Sequence, residues 1–161
     1  MTNTHQYNVR AFVPSDTIAL RDVFAASVEE LTQEDYTEDE RIAWVSIAED
    51  SAVFCKLLEE SMTLVAEVNG ELVGFASLKD NHILNMLYVH PYHVDEGIGT
   101  MLCEALETVA RTRGQKELVT ESSETAVLFF ETRGYKPLQR NSKECFGEWL
   151  TTTTLKKELI N

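Results

Sequence analysis

Apolar side chains near the start of the chain recur with the 3.6-residue period of an amphipathic helix. Those on one face are Leu20, Val23, Phe24, Val28 and Leu31. A short strand over residues 9–13 is expected before this helix, because Pro14 and the polar residues after it form a break. Ser15 or Asp16 is then in position to cap the helix.

Two further helical pieces follow in the first third of the chain. After a polar break at residues 34–36, Thr37 and Glu40 have the spacing of a capping box. This spacing predicts a second helix that runs to about residue 47. Residues 51–60 continue with a helical pattern.

From residue 62 the pattern changes to the two-residue alternation of strands. Three strands are predicted over residues 62–68, 71–78 and 83–89. Asn69-Gly70 joins the first two, and both residue types tolerate the positive φ of a tight hairpin turn. Asp80-Asn81 forms the second turn, so the three strands make an antiparallel meander.

The second half of the chain opens with a strongly amphipathic stretch. Its apolar face predicts a helix that begins at Ile98 and ends at Gly114. A strand over residues 117–120 follows this helix.

The last segments predict one more helix and a hairpin. Ser122 or Ser123 can cap the helix, and Gly134 ends it. Residues 135–138 and about 145–155 are predicted to form the closing hairpin. Because no repeat or linker interrupts this order, we expect a single domain over residues 1–161.

Composition limits the classes of function. The formal net charge is −13, and nucleic-acid binding is not expected because it needs clustered Lys and Arg. The same charge would help to recruit a cationic substrate. No apolar run approaches the about 20 residues of a membrane span, and the polar N-terminus lacks the pattern of a signal peptide. With three widely spaced cysteines and no CxxC pair, we expect a cytoplasmic protein with structural thiols.

The segment after the third meander strand carries the most informative chemistry. His90-Pro91 ends that strand, and Gly97 and Gly99 open the next helix. A helix start leaves about four backbone N–H groups unpaired and carries a partial positive charge, and glycines let a ligand approach it. The pattern therefore predicts a phosphate or pyrophosphate site. Leu102 stands where the dinucleotide-binding fingerprint needs a third glycine, which disfavours a Rossmann fold.

Four motifs in this order resemble the GNAT superfamily of N-acetyltransferases, over roughly residues 9–157. They are the hairpin at residues 67–75, the strand end Leu87-Tyr88-Val89-His90-Pro91, the helix start Gly97-Ile98-Gly99, and Phe129-Phe130-Glu131-Thr132-Arg133-Gly134-Tyr135. The resemblance implies an α+β, three-layer fold around a mixed, mostly antiparallel sheet of about seven strands. It also implies that the fourth and fifth strands splay apart.

In the family, acetyl-CoA is the co-substrate and lies in the gap between those two strands; no metal is implied. The cofactor contacts that the resemblance implies are Leu87, Tyr88, Val89, Val94, Asp95, Glu96, Gly97, Ile98, Gly99, Thr100, Ser123, Phe129 and Phe130. The pantetheine arm pairs with the backbone of the fourth strand, and the pyrophosphate sits on the helix start. The amine attacks the thioester directly, a strand amide polarises the carbonyl, and a general base and a general acid move the protons.

The chain departs from the family pattern at several of these positions. Val94 occupies the position of the signature's Gln or Arg, and Asp95 and Glu96 stand where Gly and Lys are common. Ser123 replaces a frequent Asn. Phe130 stands where many members carry the general-acid Tyr, and a phenyl ring cannot donate a proton.

The proton-transfer residues are therefore left open, with Asn85 and Glu148 as the candidate catalytic residues. Asn85, on the inward face of the fourth strand, could order a water or bind the amine, and Glu148 could act as a remote base. His82 is expected to face the other way by strand alternation. The alternative acids are Tyr88, Tyr92 and Tyr135.

The leading interpretation is an N-acetyltransferase that acts on the primary amine of a small, cationic molecule. Two alternatives remain open: an acyl-CoA-binding module with little catalysis, and a protein or peptide N-acetyltransferase. We expect no nucleic-acid or membrane partner, and a homodimer is left open.

Overall fold

The strands form one seven-stranded sheet in the order β1-β2-β3-β4-β5-β7-β6. The structure is a computed structural model that describes residues 6–160. The strands are β1 Tyr7–Ala11, β2 Met62–Val68, β3 Glu71–Lys79, β4 Ile83–Val89, β5 Glu117–Ser123, β6 Lys136–Cys145 and β7 Glu148–Glu158. Neighbouring strands are antiparallel except for β4 and β5, which are parallel. This sheet confirms the predicted α+β fold.

Helices cover both faces of the sheet. They are α1 Thr17–Leu31, α2 Glu38–Val45, α3 Ser51–Glu59, α4 Ile98–Thr112 and α5 Val127–Glu131. On one face, Leu102 and Leu106 of α4 pack with Leu84 and Leu118 of the sheet. On the other face, Leu20, Val23, Phe24 and Val28 of α1 pack with Phe54 of α3 and the sheet, whereas Leu31 of the predicted apolar face is exposed. The helix amphipathicity read from the sequence therefore produces three layers with two buried cores.

The parallel strands β4 and β5 separate after two residue pairs. Ile83 pairs with Val119 and Leu84 with Thr120, and no pairing continues beyond them. The separation coincides with a register shift between β3 and β4 that leaves Asn85 as an extra, unpaired residue. Such a bulge bends a strand and increases its twist. The predicted splay is therefore present, and the edge of β4 that faces β5 stays open from Asn85 onward.

Most local predictions agree with the structure. Asn69 and Gly70 have φ of 52° and 83°, as a tight hairpin turn needs. Thr37 and Glu40 form the expected capping box in front of α2. Ser123 caps the segment before α5, because its hydroxyl accepts a hydrogen bond from the Ala126 amide at 3.3 Å.

The prediction that the side chain of Ser15 or Asp16 caps the first helix is wrong. A short 3-10 turn at Pro14–Asp16 precedes α1, so Asp16 already has helical dihedrals. Its carboxylate instead accepts a hydrogen bond from the Val13 amide at 2.9 Å and forms an ion pair with Arg10 at 2.8 Å. The Arg10 guanidinium lowers the pKa of Asp16 below its usual range.

The predicted bounds of the closing hairpin are also wrong. Cys145 ends β6 rather than beginning β7, and Phe146-Gly147 forms the turn with φ of 45° and 87°. The polar middle of β6 is mostly exposed on the edge of the sheet, so it shows no apolar alternation. Similarly, β5 extends to Ser123, and α5 is only five residues long.

Candidate active site

Two adjoining cavities occupy the gap where β4 and β5 separate. The larger cavity has a volume of about 530 Å³, and the smaller cavity has about 290 Å³. Both are lined by Trp44, Leu87, Tyr88, Ser123 and Ala126, so they meet at the middle of β4. The two cavities therefore adjoin along β4, one at the start of α4 and one beside Asn85 and Glu121, and together they are termed the passage.

The start of α4 lies at the smaller cavity. Gly97, which precedes the helix, has φ of 84°, and the first helical hydrogen bond runs from the Met101 amide to its carbonyl at 3.0 Å. The amides of residues 98–100 therefore have no acceptor within the helix. A Cβ on Gly99 would lie 3.1 Å from the Phe129 ring, which is tighter than an ordinary contact, so the glycine allows the ring to pack closely here. This geometry suits an anion.

Arg133 adds a positive charge to this site that the sequence did not reveal. Its guanidinium carbon lies 3.5 Å from the centroid of the Phe129 ring, and its Nε donates a hydrogen bond to Thr100 Oγ1 at 2.9 Å. Arg133 also lines the smaller cavity. The spacing of Phe129 and Arg133, four residues apart in a helical segment, is the signal that could have indicated this contact.

The two loop carboxylates differ in their surroundings. Glu96 Oε2 lies 2.7 Å from His93 Nδ1, and Glu96 does not line either cavity. Asp95 has φ of 62° and lines the smaller cavity. Asp95 is therefore the carboxylate that faces an anion bound at the helix start.

Replacing Asp95 by Asn should strengthen binding of acetyl-CoA about two- to fivefold, because a charge near a helix start is worth about 0.3–1 kcal/mol. Asn tolerates the positive φ, so the loop should keep its shape. Titration calorimetry at low and high salt measures the change, which should shrink as salt screens the charge. Glu96→Gln is the control and should not strengthen binding. Weaker binding by Asp95→Asn would mean that the carboxylate holds the loop in place.

The open edge of β4 connects the two cavities. The His90 amide donates to Val73 of β3 at 2.8 Å, so by alternation the amides of Leu87 and Val89 point into the gap. An unpaired strand edge binds extended chains through main-chain hydrogen bonds. The gap therefore suits an extended ligand with amide groups.

The predicted cofactor residues gather around this path. All of them line the smaller cavity except Glu96 and Phe130. Phe130 is 3% exposed and borders the larger cavity, where its ring packs against Phe129 and Tyr135. Sequence reasoning thus selected residues that the fold brings together at one place.

Aromatic side chains form much of the wall of the larger cavity. The Trp44 indole N–H donates to the Tyr88 hydroxyl at 3.2 Å. The Tyr36 hydroxyl donates to the Thr151 carbonyl and accepts from the Glu124 amide. Burial raises the pKa of both Tyr36 and Tyr88 to about 12, so both phenols stay protonated at neutral pH.

The structure separates the candidate catalytic residues. Asn85 lines the larger cavity, whereas Glu148 does not. The lining carboxylates are instead Glu121 and Glu144, which the sequence analysis did not consider. Strand alternation could have drawn attention to Glu121, but the extent of β5 was underpredicted.

The remaining candidate acids and thiols also differ in position. Tyr92 is 84% exposed, and the Tyr135 hydroxyl is buried against Glu107, so neither lines a cavity. Cys145 lines the larger cavity, and burial raises its pKa, which disfavours a thiolate nucleophile. His82 lies outside both cavities, with Nδ1 2.8 Å from the Asp80 carbonyl.

An extended path for an amide-bearing ligand, ending at an anion site, defines an acyltransferase of the coenzyme A-dependent class. The family model described as "Acetyltransferase (GNAT) domain" matches residues 32–159. The chain therefore belongs to the GNAT acetyltransferase family and is an N-acetyltransferase.

Known proteins resemble the chain along nearly its whole length. The crystal structure of a GCN5-related N-acetyltransferase from Rhodopseudomonas palustris is 41% identical, with a TM-score of 0.94 over 99% of this chain and 100% of that one. The uncharacterized N-acetyltransferase YafP of Escherichia coli is 29% identical over 89% of this chain and 90% of its own. The structure of PaiA N-acetyltransferase of Thermoplasma acidophilum, in complex with coenzyme A, is 19% identical in sequence, with a TM-score of 0.80. The match covers 95% of this chain and 99% of PaiA. The last similarity shows the shared fold.

Two further findings concern the described part of the chain. Within residues 6–160, no group of three or more His, Cys, Asp or Glu side chains is placed to hold a metal ion. None of the helices in the same range is both long and apolar enough to cross a membrane.

Proposed function

We propose that this N-acetyltransferase moves an acetyl group from acetyl-CoA to the primary amine of a small molecule by direct attack. The observation that carries the proposal is the gap between β4 and β5 with its two adjoining cavities. It leads from an anion site at the start of α4 to a cavity with aromatic walls. The donor occupies one end of the passage and the acceptor the other.

The donor is held mainly by the backbone. The pyrophosphate accepts hydrogen bonds from the amides of residues 98–100, with the Arg133 guanidinium beside them. The pantetheine arm lies along the open edge of β4 like an added strand. PaiA, which shares this fold, was determined with coenzyme A. Because Leu87 lines both cavities, its amide is the donor that we assign to the thioester carbonyl.

The acceptor end suits a small molecule. Its volume of about 530 Å³ lies within the usual range for small-molecule sites. Trp44 of α2 and Phe146 of the β6–β7 turn both line it, so two separate segments enclose the opening. Two carboxylates and one Lys side chain line it as well, and the net charge of −13 attracts cations. A compact primary amine, charged in solution, fits these features.

The leaving thiolate needs a proton, and Tyr88 is the phenol nearest to the path. It lines both cavities, and its hydroxyl accepts from Trp44 while donating to no acceptor among residues 6–160. Because its pKa is about 12, the phenol is protonated and can donate to a thiolate. Phe130 borders the same cavity and has no proton to give.

Replacing Phe130 by Tyr should raise kcat about threefold to tenfold, which is less than the usual range for general acid catalysis because a thiolate already leaves readily. The added hydroxyl can extend toward the larger cavity that the ring borders. The measurement is kcat against pH from 6 to 10 with any accepted amine, and the gain should fade as the new phenol ionises. Phe130→Leu is the control without a donor. An unchanged kcat in Phe130→Tyr, with acetyl-CoA still bound, would mean that Tyr88 already supplies the proton; an unchanged kcat also in Phe130→Tyr combined with Tyr88→Phe, relative to Tyr88→Phe alone, would contradict the placement of this ring beside the sulfur.

Two measurements test the function itself. A thermal-shift screen with acetyl-CoA, CoA and longer acyl-CoAs tests the donor, since ligand at one hundred times Kd stabilises by about 2.7 kcal/mol. Thiol release is then followed with phenethylamine, tyramine, spermidine, L-methionine and a peptide with a free N-terminal Ala. Turnover with a small amine supports the proposal. Binding without turnover would identify an acyl-CoA-binding module, and turnover with the peptide alone would identify a peptide N-acetyltransferase.

A further inference from the structure

We infer that Glu121 of β5 binds the ammonium group of the acceptor and takes its proton before attack. This inference rests on the proposed function, since it concerns the acceptor end of the same passage. It assigns the general-base role to a residue on the strand opposite the one that holds the donor.

Glu121 lies at the closed end of the gap, where β4 and β5 begin to separate. Leu84 and Thr120 form the last pair between β4 and β5, and the Thr120 hydroxyl closes this end by donating to the Leu84 carbonyl at 2.9 Å. Asn85 and Glu121 are the next residues on the two strands, and both line the larger cavity. An amine that approaches a thioester in the gap from the larger cavity therefore meets these two side chains first.

The carboxylate of Glu121 is held in one orientation but can still accept further hydrogen bonds. The Thr152 hydroxyl donates to Oε1 at 2.8 Å, and Lys143 Nζ lies 3.9 Å from Oε2. The Glu121 side chain is 40% exposed, so a ligand can reach it. An ionised carboxylate can accept about four hydrogen bonds. Oε2 thus remains available for an ammonium N–H, which can replace the long contact with Lys143.

The other nearby carboxylates are less suited to this role. Glu144 lies on β6, two strands from β5, which at about 4.8 Å per strand is about 10 Å away. Glu124 does not line the larger cavity, and its Oε1 accepts from the Thr153 hydroxyl at 2.8 Å. Glu148 also lies outside the lining. Asn85 has no titratable proton acceptor, but its amide oxygen can accept a second N–H of the same ammonium group.

Acetyl transfer to a primary ammonium group releases two protons in turn. One N–H bond of the ammonium breaks, and the proton moves to Glu121, which leaves a neutral amine. The nitrogen lone pair forms the N–C bond to the thioester carbonyl, the C–S bond breaks, and the sulfur leaves with the electron pair as a thiolate. The second proton, lost from the nitrogen of the new amide, neutralises the thiolate through Tyr88 or directly. Glu121 returns its proton to water.

The test compares a charged acceptor with an uncharged one in Glu121→Gln. Phenethylamine is protonated at neutral pH, whereas phenylacetic hydrazide is uncharged and needs no deprotonation before it attacks. At pH 7.5 we expect kcat/KM for phenethylamine to fall about 100-fold, at the lower end of the range for general base catalysis. With the hydrazide it should change less than about threefold, because neither an ammonium group nor its proton is involved.

The dependence of kcat/KM on pH is a second measurement, and it would stay unchanged if Glu121 had only a structural role. In Glu121→Gln, kcat/KM for phenethylamine should rise with pH until the amine itself is deprotonated, because only the free amine can react. Glu117→Gln is the matched control on the same strand; this residue pairs with Lys156 at 3.4 Å outside the cavity, and its variant should behave as wild type. Acetyl-CoA affinity should be the same in all three proteins.

Each other outcome overturns a defined part of the argument. If wild type acetylates phenethylamine and Glu121→Gln does so equally well, the inference fails and the proposed function stands. An equal loss for amine and hydrazide would show that Glu121 supports the structure of the site instead. A loss of kcat/KM for phenethylamine in Glu144→Gln as large as that in Glu121→Gln would show that Glu121 is not the sole general base. If wild type releases no thiol with the hydrazide or with any small amine of the panel, the proposed function fails and the role of Glu121 fails with it.

Discussion

Gly97→Asp should abolish detectable binding of acetyl-CoA, whereas Gly97→Asn should retain most of it. Gly97 precedes α4 with φ of 84°, and a Cβ placed there meets no atom within 4 Å, so either side chain has room. Asn and Asp both tolerate this left-handed conformation better than other non-glycine residues, so the backbone strain is similar in the two variants. They differ mainly by one negative charge beside the proposed pyrophosphate site.

We expect a larger effect than at Asp95 because position 97 directly precedes α4 and lies two residues closer to the unpaired amides. At an effective dielectric constant of about 20, two unit charges about 4 Å apart repel by about 4 kcal/mol, which is about a thousandfold in Kd. Titration calorimetry of both variants with acetyl-CoA measures this difference, and circular dichroism checks that both are folded. Equal affinities for the two variants would show that no phosphate binds at the start of α4.

Glu107→Ala should lower the free energy of unfolding by about 3–5 kcal/mol, because it breaks a buried network of charge and hydrogen bonds. Glu107 lies in α4 and is 3% exposed. Its carboxylate accepts from Lys157 Nζ at 2.8 Å, from the Tyr135 hydroxyl at 2.9 Å and from Cys103 Sγ at 3.3 Å. Without the carboxylate, these donors lose their acceptor in a site that excludes much of the solvent.

Urea denaturation and the melting temperature measure this loss. At about 2–4 °C per kcal/mol for a chain of this size, the melting temperature should fall by roughly 6 to 20 °C. Glu104→Ala is the control: Glu104 is exposed on the same helix, and its removal should stay within about 0.5 kcal/mol. Glu107→Gln keeps an acceptor for Tyr135 and should lose less than Glu107→Ala. A loss in Glu107→Ala no greater than that of the control would contradict the structural role of the network.

The same network explains why Cys103 is not a candidate nucleophile. Burial raises the pKa of its thiol to about 12, so it is protonated at neutral pH. The sequence could place Cys103 on the apolar side of a helix, but it could not show that Glu107, Tyr135 and Lys157 converge on it. These residues come from three segments, the last of which is 50 residues from Glu107 along the chain.

The sequence by itself determined the features that depend on neighbouring residues. The turn at Asn69-Gly70, the capping box at Thr37 and the start of α4 at Gly97 each follow from local backbone preferences, and the structure has them. The order of strands and helices could be read along the chain because their periods differ, and the resemblance of that order and its motifs to the GNAT superfamily implied the fold. The same resemblance implied which backbone groups face the cofactor, since one strand and one helix start carry them.

Only the tertiary structure decided which side chains meet across elements. The bulge at Asn85 and the end of β4–β5 pairing depend on how three strands pack, and local sequence does not specify that. Arg133 reaches Thr100 because α5 packs beside α4, and Glu121 faces the larger cavity because β5 extends farther than its apolar pattern indicates. Glu148, which the sequence suggested, lies outside that cavity because the turn of the closing hairpin falls at Phe146-Gly147. Contacts between residues far apart in the chain arise from packing, and the pattern along the chain does not contain that information.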